Sequence, residues 1–179
     1  MKTLFLVICF LGAVIYAVYS FLLPAAYRIM EPFFEMPIKT TAEIITAENL
    51  PIRNDAYGDG YFGAKRKGGR LHKGLDLEGD LKEEVYASKS GWVRVRFVKK
   101  GYGNLVIIKH PGGHETRYGH LDSVSVKNNQ WVRQGEVIGL VGKTGNADVK
   151  GMTPHLHFEI RKNDEPVNPA NKLAGHSDK

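Results

Sequence analysis

Two hydrophobic patterns divide the chain. Residues 4–23 read LFLVICFLGAVIYAVYSFLL, without a charge, and Lys2 is the one charged side chain ahead of them. A helix of about 20 apolar residues covers the roughly 30 Å of hydrocarbon in a bilayer, so this stretch predicts one N-terminal apolar helix. From Glu84 onward the pattern becomes short runs rich in Val, Ile and aromatics, at 84–87, 91–98, 105–110, 114–120, 123–126, 137–141 and 155–160. Glycine-containing turns at 100–104, 111–113 and 142–146 punctuate them. Many short strands at close spacing predict an all-β fold, a compact antiparallel β-sandwich or open barrel. No amphipathic helical pattern follows the apolar segment.

Between these regions the composition is mixed. We read 1–26 as a transmembrane signal-anchor, 27–50 as a stalk with a turn or two of helix at 42–48, 51–170 as the folded domain and 171–179 as a polar tail. A cleaved signal peptide is the alternative for the N-terminus, but its apolar core is usually about 7–15 residues and ends at a small-x-small site. Val18-Tyr19-Ser20 and Pro24-Ala25-Ala26 are imperfect sites, and Ile8 before Cys9 does not suit lipidation. Either reading exports the domain to the cell envelope: membrane-anchored outside the cytoplasm, or periplasmic or secreted after cleavage.

Composition narrows the chemistry. Hydrophobic residues make up 42% of the 179 and charged residues 25%, as in a folded globular protein. A formal net charge of +6 points to an anionic neighbour such as a membrane surface or an acidic wall polymer. Nucleic acid fits poorly, because Arg94 and Arg96 alternate with Val95 and Phe97, as on the wet face of a strand. With Cys9 as the one cysteine, no intrachain disulfide can form and no cysteine-rich zinc site exists. Any zinc must be held by His and carboxylate.

Seven histidines supply candidates. In His155-Leu156-His157-Phe158-Glu159-Ile160, strand alternation sets His155, His157 and Glu159 on one face and Leu156, Phe158 and Ile160 on the other. The two imidazoles then lie roughly 7 Å apart at Cα, close enough to share one site as metal ligand and neighbouring acid or base. Taken alone, this pattern fits a structural or surface role equally well. In Leu71-His72-Lys73-Gly74-Leu75-Asp76-Leu77, a straight strand would hold His72 and Asp76 about 13 Å apart at Cα, so one shared ion requires a bend near Gly74. Each residue alone reads as part of a solvated loop. Together, three ligands of His and carboxylate with a fourth position left to water match a catalytic zinc site. Glu159 is a candidate partner behind a ligand histidine. His110, His114 and His176 carry no assigned function.

These residues together resemble the LytM/lysostaphin-type metallopeptidases, the M23 peptidase family. The resemblance runs from about Tyr61 to Pro169. It rests on His72-x-x-x-Asp76, Tyr118-Gly119-His120-Leu121 and His155-Leu156-His157-Phe158-Glu159 after Thr153-Pro154, with 101–110 and 132–139 similar to the family's central hairpin and late turn. It implies that His72, Asp76 and His157 ligate one Zn2+ in a groove of the β-structure, and that His155 and His120 flank a metal-bound water and the scissile carbonyl. The implied substrates are peptide cross-links of bacterial peptidoglycan, cut endopeptidically. Some family members have lost ligands and activate separate wall amidases; here all five positions are kept. The short basic loop Arg66-Lys67-Gly68-Gly69-Arg70 departs from the family pattern.

Zinc lowers the pKa of a water from 15.7 to about 7. His155 is then the candidate to orient or deprotonate that water, and His120 the candidate to stabilise the oxyanion or protonate the leaving amine. The alternative from another class is a non-catalytic wall-binding regulator or amidase activator. A sugar-transport phosphocarrier also pairs two histidines in a β-sandwich groove, but the apolar N-terminus and Asp76 argue against it.

Overall fold

The structure is a computed structural model that describes residues 2–39, 46 and 48–173. The helical turn expected at 42–48 falls outside these apart from Thr46 and Glu48, and His176 with the rest of the polar tail beyond Leu173 falls outside them entirely. The chain divides into two compact units, Met1–Pro32 and Phe33–Lys179.

The first unit is helical. Helix α1 (Lys2–Ala17) passes through a π-helical turn (Val18–Leu22) into α2 (Leu23–Met30). Pro24 explains the wide turn. Proline has no N–H, and its ring clashes with the carbonyl four residues back, so the ladder cannot run through it unchanged. The ladder slips, and Leu23 N–H donates to Val18 O, five residues back. Residues Leu6–Tyr27 have a mean hydropathy of 2.5 and are long and apolar enough to cross a membrane.

Among its described residues the second unit is built from twelve short strands: β1 (Asn54–Asp55), β2 (Gly58–Asp59), β3 (Leu75–Glu78), β4 (Glu84–Tyr86), β5 (Gly91–Val98), β6 (Gly103–Lys109), β7 (His114–Leu121), β8 (Ser123–Val124), β9 (Trp131–Val132), β10 (Val137–Leu140), β11 (His155–Lys162) and β12 (Glu165–Val167). The main sheet runs β12-β11-β7-β6-β5-β9, with β3 also paired to β11, and a second sheet runs β4-β10-β8. All strand pairings are antiparallel. The sheets stay open, so the fold is all-β and antiparallel without a closed barrel.

Alternation explains the core. One face of the main sheet carries Leu75, Leu77, Val93, Val106, Ile108, Tyr118, Leu156, Phe158 and Ile160, all buried in one cluster with Val85 and Ile138 of the second sheet. Each fully buried Leu, Ile, Val or Phe side chain contributes about 1.5–3 kcal/mol. Phe34, Ile38 and Leu50, from the stretch read as a stalk, are buried in the same cluster. Phe34 bridges Leu173 in parallel, and Tyr86 N–H donates to Pro37 O at 2.8 Å.

Candidate metal centre

Strand β11 lies at the middle of the site. His157 is the direct cross-strand partner of Asp76 on β3 and of Gly119 on β7. Directly opposed residues share a face, with Cβ atoms about 4.5–5.5 Å apart, so register alone brings Asp76 to His157. His72 lies across a bend at Gly74. The glycine is required there by close approach, because a Cβ on Gly74 would sit 2.2 Å from Phe158 O. Gly119 is the bare position beneath the site: a Cβ there would lie 3.2 Å from the Tyr102 ring and 3.5 Å from His157 Cβ.

Three donor atoms converge. His72 Nε2 lies 3.0 Å from His157 Nδ1 and 3.0 Å from Asp76 Oδ1, and His157 Nδ1 lies 2.8 Å from Asp76 Oδ1. Tetrahedral zinc with ligands at about 2.0–2.1 Å sets its donors roughly 3.3 Å apart, close to this triangle. A cation between the two ring nitrogens and the carboxylate oxygen would accept a lone pair from each of the three. The donor set therefore fits zinc.

Each of the three side chains is held from behind. His72 Nδ1–H donates to Tyr61 O at 2.9 Å, which leaves Nε2 as the lone-pair atom. His157 Nε2 meets Glu159 Oε1 at 3.1 Å, which leaves Nδ1 facing the site. Glu159 is 1% exposed and receives Tyr102 Oη–H at 2.6 Å and Arg161 Nη1–H at 2.7 Å. Asp76 Oδ2 accepts from Arg53 at 3.0 Å and Arg66 at 2.9 Å, so one carboxylate oxygen is pinned and Oδ1 is turned inward. Burial pushes the Asp76 carboxyl upward, but the close imidazoles of His157 and His72 outweigh it and hold the group well below the usual carboxylate range. Burial opposes charge on His157 as well; Asp76 and Glu159 outweigh it and raise the imidazole to about 9.

His155 and His120 flank the triangle, with their ring centroids 5.1 Å apart and His120 5.8 Å from His157. His155 Nδ1–H donates to Thr153 O at 2.7 Å, and His120 Nδ1–H donates to Thr144 O at 2.9 Å. Their Nε2 atoms have no hydrogen-bond partner among the described residues. Burial keeps both neutral: it lowers His155, and with the neighbouring His157 and His155 it takes His120 down to about 3. A neutral imidazole with a free Nε2 can accept a proton.

His120 reaches this face by an unusual route. Thr116 and Tyr118 of β7 point into the core, and strict alternation would send His120 after them. Instead His120 has φ 62°, in the left-handed region that non-glycine residues rarely enter. Its N–H is tied to Tyr102 O at 2.6 Å. The backbone turn swings the ring to the side of His155 and His157.

The structure brings together all five residues singled out in the sequence, with Glu159 behind His157. Arg53, Arg66 and Tyr102 were not foreseen in these positions. The basic loop before His72 was the visible trace of Arg66, and the Gly-Tyr-Gly turn was that of Tyr102. Arg53 left no signal.

Comparison with known proteins follows the same residues. The chain is 46% identical over 100 residues to the DD-carboxypeptidase/endopeptidase Mpg of Neisseria meningitidis, a match over 56% of this chain and 22% of that one. It is 36% identical over 115 residues to the murein hydrolase activator NlpD of Escherichia coli, over 63% of this chain and 28% of that one. The chain thus spans about a quarter of the length of these relatives. A zinc containing peptidase from Vibrio cholerae shares the fold with a TM-score of 0.58 and 31% identity, over 79% of this chain and 40% of that chain. The description of peptidase family M23 matches residues 70–169. That stretch is more than half of the chain and contains the donor triangle and both flanking histidines, so the chain belongs to peptidase family M23.

Proposed function

We propose that this chain is a zinc metalloendopeptidase that cuts peptide cross-links of bacterial peptidoglycan, held at the cell envelope by its N-terminal helix. The observation that carries the proposal is the pairing of a complete His72–Asp76–His157 donor triangle with two neutral imidazoles whose Nε2 atoms are free. A regulator that only binds a partner has no need of such a pair. Zinc supplies Lewis acidity toward a carbonyl oxygen and lowers the pKa of a water to about 7.

The chain's own residues divide the remaining work. His72, Asp76 and His157 hold the ion, while Tyr61 O, Arg53, Arg66 and Glu159 orient their donor atoms. His155 accepts a proton at Nε2, because its Nδ1–H is committed to Thr153 O. His120 is oriented in the same way by Thr144 O, so it takes up a proton at Nε2 before it can donate to the oxygen or amine on which charge develops. Positioned acid-base groups of this kind contribute about 10²–10⁴-fold each.

The test is mass spectrometry of muropeptides after incubation with the zinc-loaded full-length chain in detergent. Cross-linked species should disappear, and chelation should stop the reaction. No cleavage of any peptidoglycan by the metal-loaded protein would refute the proposal. The second reading, an activator of a separate murein hydrolase, is favoured by the likeness to NlpD. It predicts that His120→Ala and His155→Ala leave cellular function intact.

A further inference from the structure

On the same face as the metal triangle, the main sheet holds a cleft of about 400 Å³ with a cationic wall. Register defines its floor. Arg94 on β5 opposes Ile107 on β6, Ile107 opposes Arg117 on β7, and Arg117 opposes Glu159 on β11. Opposed residues share a face, so this row runs from beside the ligand His157 to β5 without crossing the sheet. Arg96 opposes Leu105 in the next row. Tyr102 joins the cleft to the triangle: it lines the cleft, its ring lies tilted with its centroid 5.4 Å from that of His157, and it donates to Glu159 at 2.6 Å.

The charges in the cleft are unbalanced. Arg117 is committed to Glu115 at 2.7 Å and lies 4.0 Å from Glu159. Arg94, Arg96 and Lys109 have no ion pair among the described residues, and Asp164 is the one other carboxylate that lines the cleft. Read from sequence, Arg94 and Arg96 looked like the solvated face of a strand. Both are indeed exposed on that face, and there they rim a concavity over Leu105 and Ile107, which are 3% and 7% exposed. A low-dielectric floor beneath unpaired cations concentrates positive potential. That combination suits an extended chain with aliphatic atoms along its length and anionic groups at its side.

Resting on the reading of this chain as a wall peptidase, we propose that the cleft is a carboxylate subsite, in which Arg94, Arg96 and Lys109 bind free carboxylates of the peptide whose scissile bond lies at the metal. The row from Glu159 to Arg94 crosses three strand spacings, about 14 Å, which an extended peptide covers in about four residues. The preferred substrate is therefore an acidic peptide with a free carboxylate about that far from the cut, and glycine-only bridges would use the metal end alone.

The test is equilibrium binding by calorimetry of zinc-loaded full-length chain in detergent. A His155→Ala background keeps the ligand uncut. The two ligands are cross-linked muropeptides with free carboxylates and the same material with its carboxylates amidated. The parent should prefer the free acid by roughly tenfold or more, as expected for lost charge-assisted hydrogen bonds. Arg94→Gln with Arg96→Gln should abolish that preference and leave binding of the amidated ligand within about twofold. Arg94→Lys with Arg96→Lys should retain most of it, and circular dichroism melting would verify that each variant folds. Equal affinity of the parent for both ligands overturns the inference, as does an equal loss on both ligands in the glutamine variant, or no binding at all. A parallel digest with His155 intact separates the two ideas. Charge-dependent binding without cleavage sinks the peptidase reading alone, and cleavage without charge dependence sinks the subsite alone.

Discussion

The protein buries histidines in two neighbourhoods, and the contrast between them separates a structural imidazole from a ligand-ready one. Both ring nitrogens of His110 meet an oxygen. Nδ1–H donates to Ser90 O at 2.9 Å, and Nε2 meets Thr116 Oγ1 at 2.8 Å. The threonine meets the Tyr118 hydroxyl at 2.9 Å, and that hydroxyl accepts from Ser88 N–H at 2.8 Å. Both His110 nitrogens are thus taken within the protein, which leaves neither for a ligand. Around His72 and His157, each ring has one nitrogen tied to an oxygen outside the site and the other aimed at a second ring nitrogen and a carboxylate. Both clusters lie on the main sheet and both are buried. They differ in whether the inward atoms satisfy one another without a third party.

Removing Asp76 should break the contrast most severely. Asp76→Ala deletes one donor and also strips Arg53 and Arg66 of the oxygen they share. Taking one partner from a buried ion pair costs about 3–5 kcal/mol. We expect zinc content, measured by atomic emission, to fall from one ion per chain to none, with a lower melting temperature even in chelator. Stoichiometric zinc in the purified variant would show that the triangle is not the metal site.

The flanking pair comes next. His120→Ala and His155→Ala should each lower turnover on cross-linked peptidoglycan by about 10²–10⁴-fold, with zinc content unchanged, because neither contributes to the triangle. Loss of zinc with either change would move that residue into the ligand set. Full turnover in either variant would leave it without a catalytic role.

These variants also test how far the sequence could be read. Alternation along 155–160 was sufficient to set His155, His157 and Glu159 on one face, because β11 keeps its period through to Lys162. The bend joining His72 to Asp76 was legible from the distance problem, although the reason for glycine is the carbonyl of Phe158 rather than a left-handed turn. His120 was not legible from pattern, since parity with Thr116 and Tyr118 points it into the core and only its backbone φ reverses that. Family resemblance alone placed it among the candidates. Strands of two or three residues such as β1, β9 and β12 are too short to show any period. Phe34, Ile38 and Leu50 lie too far apart to advertise that they join the core. The pairing of Asp76 with Arg53 and Arg66 depends on long-range folding that no local signal carries.

The His110 cluster should sense pH where the triangle senses metal. Burial lowers the His110 imidazole from 6.5 to about 4, against the opposing hydrogen bond to Ser90 O, with Lys89 and His114 adding to the depression. A histidine lowered in the folded state takes up its proton more readily when unfolded. Its contribution is therefore fully present above about pH 6.5 and is lost as the pH falls toward 4, which amounts to roughly 2 kcal/mol by pH 5. His155 and His120 shift in the same direction, so the measurement is a difference. Denaturant unfolding at pH 7.5 and pH 5 should show a smaller pH loss for zinc-loaded His110→Gln than for the zinc-loaded parent. Equal losses in the two proteins would remove His110 as the sensor.

The mildest change tests the support behind the triangle. Glu159→Gln keeps the shape and an acceptor for His157 Nε2–H, but it removes the negative charge that makes the imidazole a better donor to a metal. Partners of this kind are worth about 10–100-fold in metal affinity. Competition against a chromophoric chelator should show zinc affinity reduced by that factor in Glu159→Gln and unchanged in His110→Gln, although both substitutions install the same side chain at a buried position, one on β11 and one just past the end of β6. A loss in both variants would mean that zinc affinity reports general loosening of the sheet. A loss confined to Glu159→Gln ties it to the one hydrogen bond that fixes which nitrogen of His157 faces inward.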